Sequence, residues 1–146
     1  MRLVMHIGLN KAGSTYIQDA LKTNGRGLAR AGICYPAARS GSGTLLRAQP
    51  YSRANIARIL LRRDRNDLSK AIHRFLSQCR SASTVIISSE NLYHAIIDPD
   101  VYCLLNEVLI EAGVDQVEFV VVFRNIHQHA VSAFAHRAGV HDLPPF

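Results

Sequence analysis

His6-Ile7-Gly8-Leu9-Asn10-Lys11-Ala12-Gly13-Ser14-Thr15 follows directly on the apolar run Leu3-Val4-Met5. The order reads as a strand, a loop bounded by Gly8 and Gly13, and the start of a helix at Ser14 and Thr15. Glycine tolerates the backbone angles of a tight turn around an anion. Free N–H groups and the positive end of the helix dipole would face a phosphate at that helix start. Lys11 adds a full positive charge inside the loop. The plainer alternative is a glycine-rich βα turn with a solvated lysine.

The two glycines have the spacing of a Walker A loop, Gly-x-x-x-x-Gly-Lys-(Ser/Thr). Ser14, however, follows the second glycine directly, and the lysine stands inside the loop at position 11. Phosphate binding survives that displacement better than nucleoside triphosphate binding does. A second stretch points the same way. Val117 to Phe123 is an apolar, β-branched run, expected to be a strand buried on both faces, and it ends at Arg124-Asn125. A helical pattern follows, with Ala130, Val131, Phe134 and Ala135 on one stripe. Ser132 falls on nearly the same face as Asn125. Arg124 and Ser132 would converge at the strand's carboxyl end, where open α/β sheets bind ligands. An arginine fork with a hydroxyl suits a phosphate monoester. A surface ion pair and a solvated serine are the alternative.

Together these stretches resemble the sulfotransferase family. Its first signature is a strand followed by a Pro-Lys-(Thr/Ser)-Gly-(Thr/Ser)-Thr loop. Asn10-Lys11-Ala12-Gly13-Ser14-Thr15 stands in its place. Its second is a strand ending in Arg-Asn-Pro, with a serine eight residues after the arginine, and Arg124-Asn125-Ile126 through Ser132 keeps that spacing. The resemblance implies that the first loop holds the 5′-phosphosulfate of 3′-phosphoadenosine 5′-phosphosulfate. Lys11, Ala12, Gly13, Ser14 and Thr15 would line it, and Tyr16 would pack on the nucleotide or in the core. Arg124 and Ser132 would hold the 3′-phosphate. Asn10, Ala12 and Ile126 depart from the pattern. The prolines missing at 10 and 126 remove backbone pre-organisation. The match covers about the first half of a typical member, which leaves a natural fragment, a truncated gene or a minimal variant as readings.

Thr84-Val85-Ile86-Ile87-Ser88 reads as a further buried strand leading to Ser89-Glu90. The resemblance places a general base there, Glu90, with His94 one helical turn later as the alternative. Ser89 capping a helix, with Glu90 in its first turn, explains the same residues without chemistry. His6 is expected to pack or bond locally within strand one.

The expected fold is α/β: one domain over residues 1–146, in three layers, with a central parallel sheet and helices on both faces. The resemblance makes it like a P-loop nucleotide hydrolase. Strand one should be central. The helices expected are Ser14–Asn24, Ser52–Arg63, Asp67–Cys79 and one opened by Asp98-Pro99, with Tyr102, Leu105, Leu109 and Ala112 inward and Gly113 at its end. Gly32–Pro36 reads as a short strand, and residues 37–51 as a loop.

A net charge of +6 suits a polyanionic ligand. Arg58, Arg62, Arg63 and Arg65 fall along one helix without interleaved aromatics. They read as a solvated face, so no nucleic acid is expected. Cys34, Cys79 and Cys103 make no metal pattern and read as reduced, packed thiols of a cytoplasmic protein. No metal site, signal peptide or membrane span is expected, and the resemblance implies no required metal. The expected partners are a small-molecule or glycan acceptor bearing a hydroxyl or amine. A second copy could complete an unfinished sheet. The rival readings are a P-loop kinase or nucleotide hydrolase and a non-catalytic phosphonucleotide-binding fragment.

Overall fold

The computed structural model describes residues 1–8, 14–36, 53–89, 91–123 and 125–141, without the side chains of 53–55, 94–95, 129, 133 and 136–141. Four parallel strands form one sheet: β1 (Arg2–His6), β2 (Ile33–Cys34), β3 (Thr84–Ser88) and β4 (Gln116–Val120), in the order β2-β3-β1-β4. The helices are α1 (Ser14–Thr23), α2 (Gly25–Arg30), α3 (Arg53–Arg62), α4 (Arg65–Ser77), α5 (Asn91–Ile96), α6 (Pro99–Glu111) and α7 (Ile126–His141).

Strand alternation sets the core. Leu3 and Met5 of β1 and Val85 and Ile87 of β3 point to one face and are buried with Leu60, Leu68, Ile72, Leu105 and Leu109 from α3, α4 and α6. Burying one such side chain stabilises the fold by about 2 kcal/mol. Helices α3 to α6 pack on one another, whereas α1 packs on α2, and α2 on β2.

The helix ends follow their local chemistry. Asp64 accepts a hydrogen bond from the Asp67 N–H at 2.9 Å, so α4 starts two residues before the expected Asp67. Its apolar stripe, Leu68, Ala71, Ile72, Phe75 and Leu76, is buried. Asp98 caps α6 with Pro99 in the first turn, as its sequence predicts. Gly113 stops α6 at φ 80°, a left-handed angle that favours glycine.

Several expectations are corrected. The basic cluster is exposed, as expected, but does not lie along one helix. Arg63, at φ 56°, ends α3 and reaches Asp98 at 2.8 Å and Asp100 at 3.3 Å. Arg65 opens α4 and pairs with Glu107 and Glu111 of α6. Two of the four arginines thus clamp α3 and α4 to the start and outer face of α6. Cys34 and Cys79 are joined by a disulfide, and Cys103 is exposed, so the reading of reduced, packed thiols fails. Tyr102 is exposed, although its ring lies 6.0 Å from that of Phe119.

Strand β4 ends at Val120, not Phe123, and it is an edge strand, half-buried where burial on both faces was expected. Its one neighbour, β1, stops at His6. The Ile7 N–H still bonds the Val120 carbonyl at 3.0 Å. Past that point the apolar run has no ladder to join, and Phe123 is 72% exposed. Val131 and Phe134 of the α7 stripe are exposed as well. Helix α2 was not expected, because Gly25 and Gly27 argue against a helix. No helix among the described residues is long and apolar enough to cross a membrane.

Candidate functional site

Four polar residues are buried among the described residues: His6, Ser14, Ser88 and Ser89. All four belong to the same few turns of chain, where β1 and β3 end and α1 begins. A buried polar group costs free energy unless it is paired. Four together on an otherwise apolar frame mark a place where the fold accepts that cost.

The sheet topology explains the location. The chain leaves β1 toward β2 on one edge and leaves β3 toward β4 on the other. Strand order therefore reverses between the neighbours β1 and β3, and ligands of open α/β sheets bind at the carboxyl ends of such a pair. His6 and Ser88 are the last residues of these strands and stand in register. The Ser89 N–H donates to the His6 carbonyl at 3.0 Å, which locks the two strand ends together.

His6 and Ser88 also bond through their side chains, with Nδ1 and Oγ 2.8 Å apart. This bears out the local role expected of His6, with a partner from the neighbouring strand. The other ring nitrogen, Nε2, has no hydrogen-bond partner among the described residues. Neither has Ser14 Oγ, and both atoms are buried. They face one spot. A Cβ on Gly8 would stand 2.5 Å from Ser14 Oγ and 3.4 Å from His6 Nε2. Gly8 thus keeps the gap open: a side chain would fill the space that these atoms border. Helix α1 has no acidic residue in its first turn to compete for its dipole. A small oxyanion suits this set: a helix start beside a hydroxyl and a ring nitrogen that both lack a hydrogen-bond partner among the described residues.

Of the residues expected to form the site, Ser14 lies at this spot. Thr15 is exposed, and Tyr16 is 81% exposed, so neither is core. His94 belongs to α5, one turn past Ser89, and Ser132 is half-buried in α7. Lys11, Ala12, Gly13, Glu90 and Arg124 lie outside the described residues. Asn125 has a structural role: its Oδ1 accepts from the His127 N–H at 3.0 Å and so caps α7. The pairing of His6 with Ser88 went unread in the sequence. Its signal is that two apolar strands each turn polar at the last position. No group of three or more His, Cys, Asp or Glu residues is placed to hold a metal among the described residues.

Burial pushes the His6 pKa below its ordinary value of 6.5, because the charged ring is penalised inside the protein. Between that lowered value and 6.5 the unfolded chain binds more protons than the folded one, so stability rises with pH across the window. The His6 contribution is complete above 6.5 and is lost as the pH falls below it. Urea midpoints measured between about pH 5 and pH 8 should show this slope. His6→Gln should flatten it relative to the wild type; an unchanged slope would remove His6 from the account.

No protein-family model matches the chain, and no curated protein matches its sequence.

Proposed function

We propose that the chain binds 3′-phosphoadenosine 5′-phosphosulfate and transfers its sulfuryl group to a hydroxyl or amine acceptor. The fold in this reading is a three-layer, P-loop-like α/β domain. Right-handed crossovers in a β2-β3-β1-β4 sheet carry α1 and α2 over one face and α3 to α6 over the other. The division of helix contacts into those two groups supports it.

The observation that carries the reading is Ser14 Oγ: buried, without a hydrogen-bond partner among the described residues, and at the first residue of α1 beside Gly8. A hydroxyl kept dry and free at a helix start is a donor waiting for an oxyanion. The donor molecule supplies an activated sulfuryl group. Lys11, the loop N–H groups and Ser14 hold the 5′-phosphosulfate and stabilise charge building on the leaving phosphate. Arg124 and Ser132 hold the 3′-phosphate and fix the register. The acceptor attacks sulfur in line, the bond from sulfur to the 5′-phosphate oxygen breaks, and Glu90, or His94, takes the acceptor's proton. The products are a sulfated acceptor and 3′-phosphoadenosine 5′-phosphate.

Calorimetry with 3′-phosphoadenosine 5′-phosphate, set against ATP with Mg²⁺, tests the reading. Tighter binding of the former is expected, with Lys11→Ala weakening it at least tenfold, about the worth of one charge-assisted contact. ATP binding equal or stronger would favour a kinase or nucleotide hydrolase. Binding of labelled donor without transfer to any acceptor would leave a binding module.

A further inference from the structure

Strand β4 has one free edge. It lies beside β1 with Val120 opposite His6, and the Ile7 N–H bonds the Val120 carbonyl. In a strand the N–H and C=O of one residue point to one side, and those of the next residue to the other. Gln116, Glu118 and Val120 therefore turn their backbone groups to β1. Val117 and Phe119 turn theirs outward, where the described residues supply no further strand. The residues of this edge do nothing to prevent pairing. Gln116 to Phe123 holds no proline and no lysine, the usual guards of a sheet edge, and its one charge, Glu118, is paired with Arg2. The β-branched, apolar run continues through Val121, Val122 and Phe123, past the end of β1. Val120, Val121 and Phe123 are exposed. A strand-forming segment thus lacks a neighbour within the described chain.

We propose that the neighbour is a second copy of this chain: β4 pairs antiparallel with the other β4 about a twofold axis at Val120, and two four-stranded sheets become one. The run is complementary to itself in this register. Val117 faces Phe123 of the second copy and Phe119 faces Val121, so each aromatic ring meets a β-branched side chain, a favourable cross-strand pair. Glu118 falls opposite Val122 and away from its own counterpart. Val117, Phe119, Val121 and Phe123 of both copies together make about eight backbone hydrogen bonds, within the range of a typical interface. The segment is short against the roughly 20–30 residues a side of a standard interface, so association in the micromolar range is expected. The opposite edge of the sheet, β2, is two residues long, and the assembly therefore closes at two copies. The inference is independent of the sulfuryl-donor reading and stands or falls without it.

Sedimentation equilibrium from about 1 μM to 1 mM brackets that affinity. It should show the 16.1 kDa chain passing to twice its mass as concentration rises. Val121→Lys sets a charge opposite Phe119 of the second copy. It breaks no bond of the chain's own sheet, because the ladder with β1 ends at Val120. Association should weaken at least tenfold, about what one lost cross-strand contact with a desolvated charge costs, while the urea midpoint of the dilute protein stays where it was. Cysteine cross-linking reads the register, in a Cys103→Ser background that leaves the Cys34–Cys79 bond in place. Under a mild oxidant Val120→Cys should give a covalent dimer, since directly opposed residues of a non-hydrogen-bonded pair lie about 4.5 Å apart, within disulfide reach. Val122→Cys should not, because it faces Glu118 of the second copy. Monomer mass at every concentration overturns the proposal, as does a dimer that survives Val121→Lys. Failure of Val120→Cys to link faster than Val122→Cys also overturns it, and so do masses that grow beyond two copies.

Discussion

Reduction of the Cys34–Cys79 disulfide is expected to lower the unfolding free energy by about 4 kcal/mol, from the loop-closure entropy of a 45-residue separation. The bond ties β2, a two-residue strand at the sheet edge, to the chain just past the end of α4. In the sheet β2 pairs with β3 alone, over two residues, and α2 packs on it. Without the bond, the unfolded chain regains the freedom of everything between α2 and β3. Urea unfolding with and without a thiol reductant measures the effect. Cys34→Ala should reproduce the loss under oxidising conditions, and reductant should then do nothing further. Cys34 is the better site for this variant, because it is half-buried whereas Cys79 is fully enclosed and its truncation would add a cavity. Coincident midpoints in both conditions would show that the bond contributes no stability.

Gly8→Ala should abolish most oxyanion binding and leave the fold intact. The added Cβ would stand 2.5 Å from Ser14 Oγ, closer than a methyl and a hydroxyl can sit, so the hydroxyl must rotate away. Backbone strain is not the cause; the contact is with the end of one small side chain. The expected stability cost is therefore small, about 1 kcal/mol, at the low end for an overpacked site. The expected loss of phosphate affinity is tenfold or more, because the methyl also fills the space in front of His6 Nε2. The double variant Gly8→Ala/Ser14→Ala separates the two effects: stability should return and binding should not. Retained binding in Gly8→Ala would mean that the ligand, if any, sits elsewhere.

The frame of the molecule was legible because its signals are local. The limits of β3, Thr84–Ser88, follow from a β-branched run, and α6 opens where Asp98-Pro99 says a helix should. The α4 stripe is written in its 3.6-residue period. What could not be read depends on neighbours. Val121-Val122-Phe123 is as apolar as the residues before it, but a strand lasts only as long as its partner, and β1 ends first. The Cys34–Cys79 bond requires an edge strand and a helix end brought together from distant parts of the chain. The same holds at the site. Ser14 announces itself through the loop before it, whereas His6 acquires meaning only from Ser88, which no spacing in the sequence connects to it.

The central position of β1 shapes how the chain is made as well as how it stands. Arg2 lies beside Thr84 on one side and Gln116 on the other. Leu3-Val4-Met5 is therefore made before both of its neighbours and waits for them to be synthesised. Until then it is a short, sticky, orphaned segment. The sheet cannot close around β1 until β4 has emerged, and the nascent chain should depend on holding factors or speed of elongation to avoid clumping.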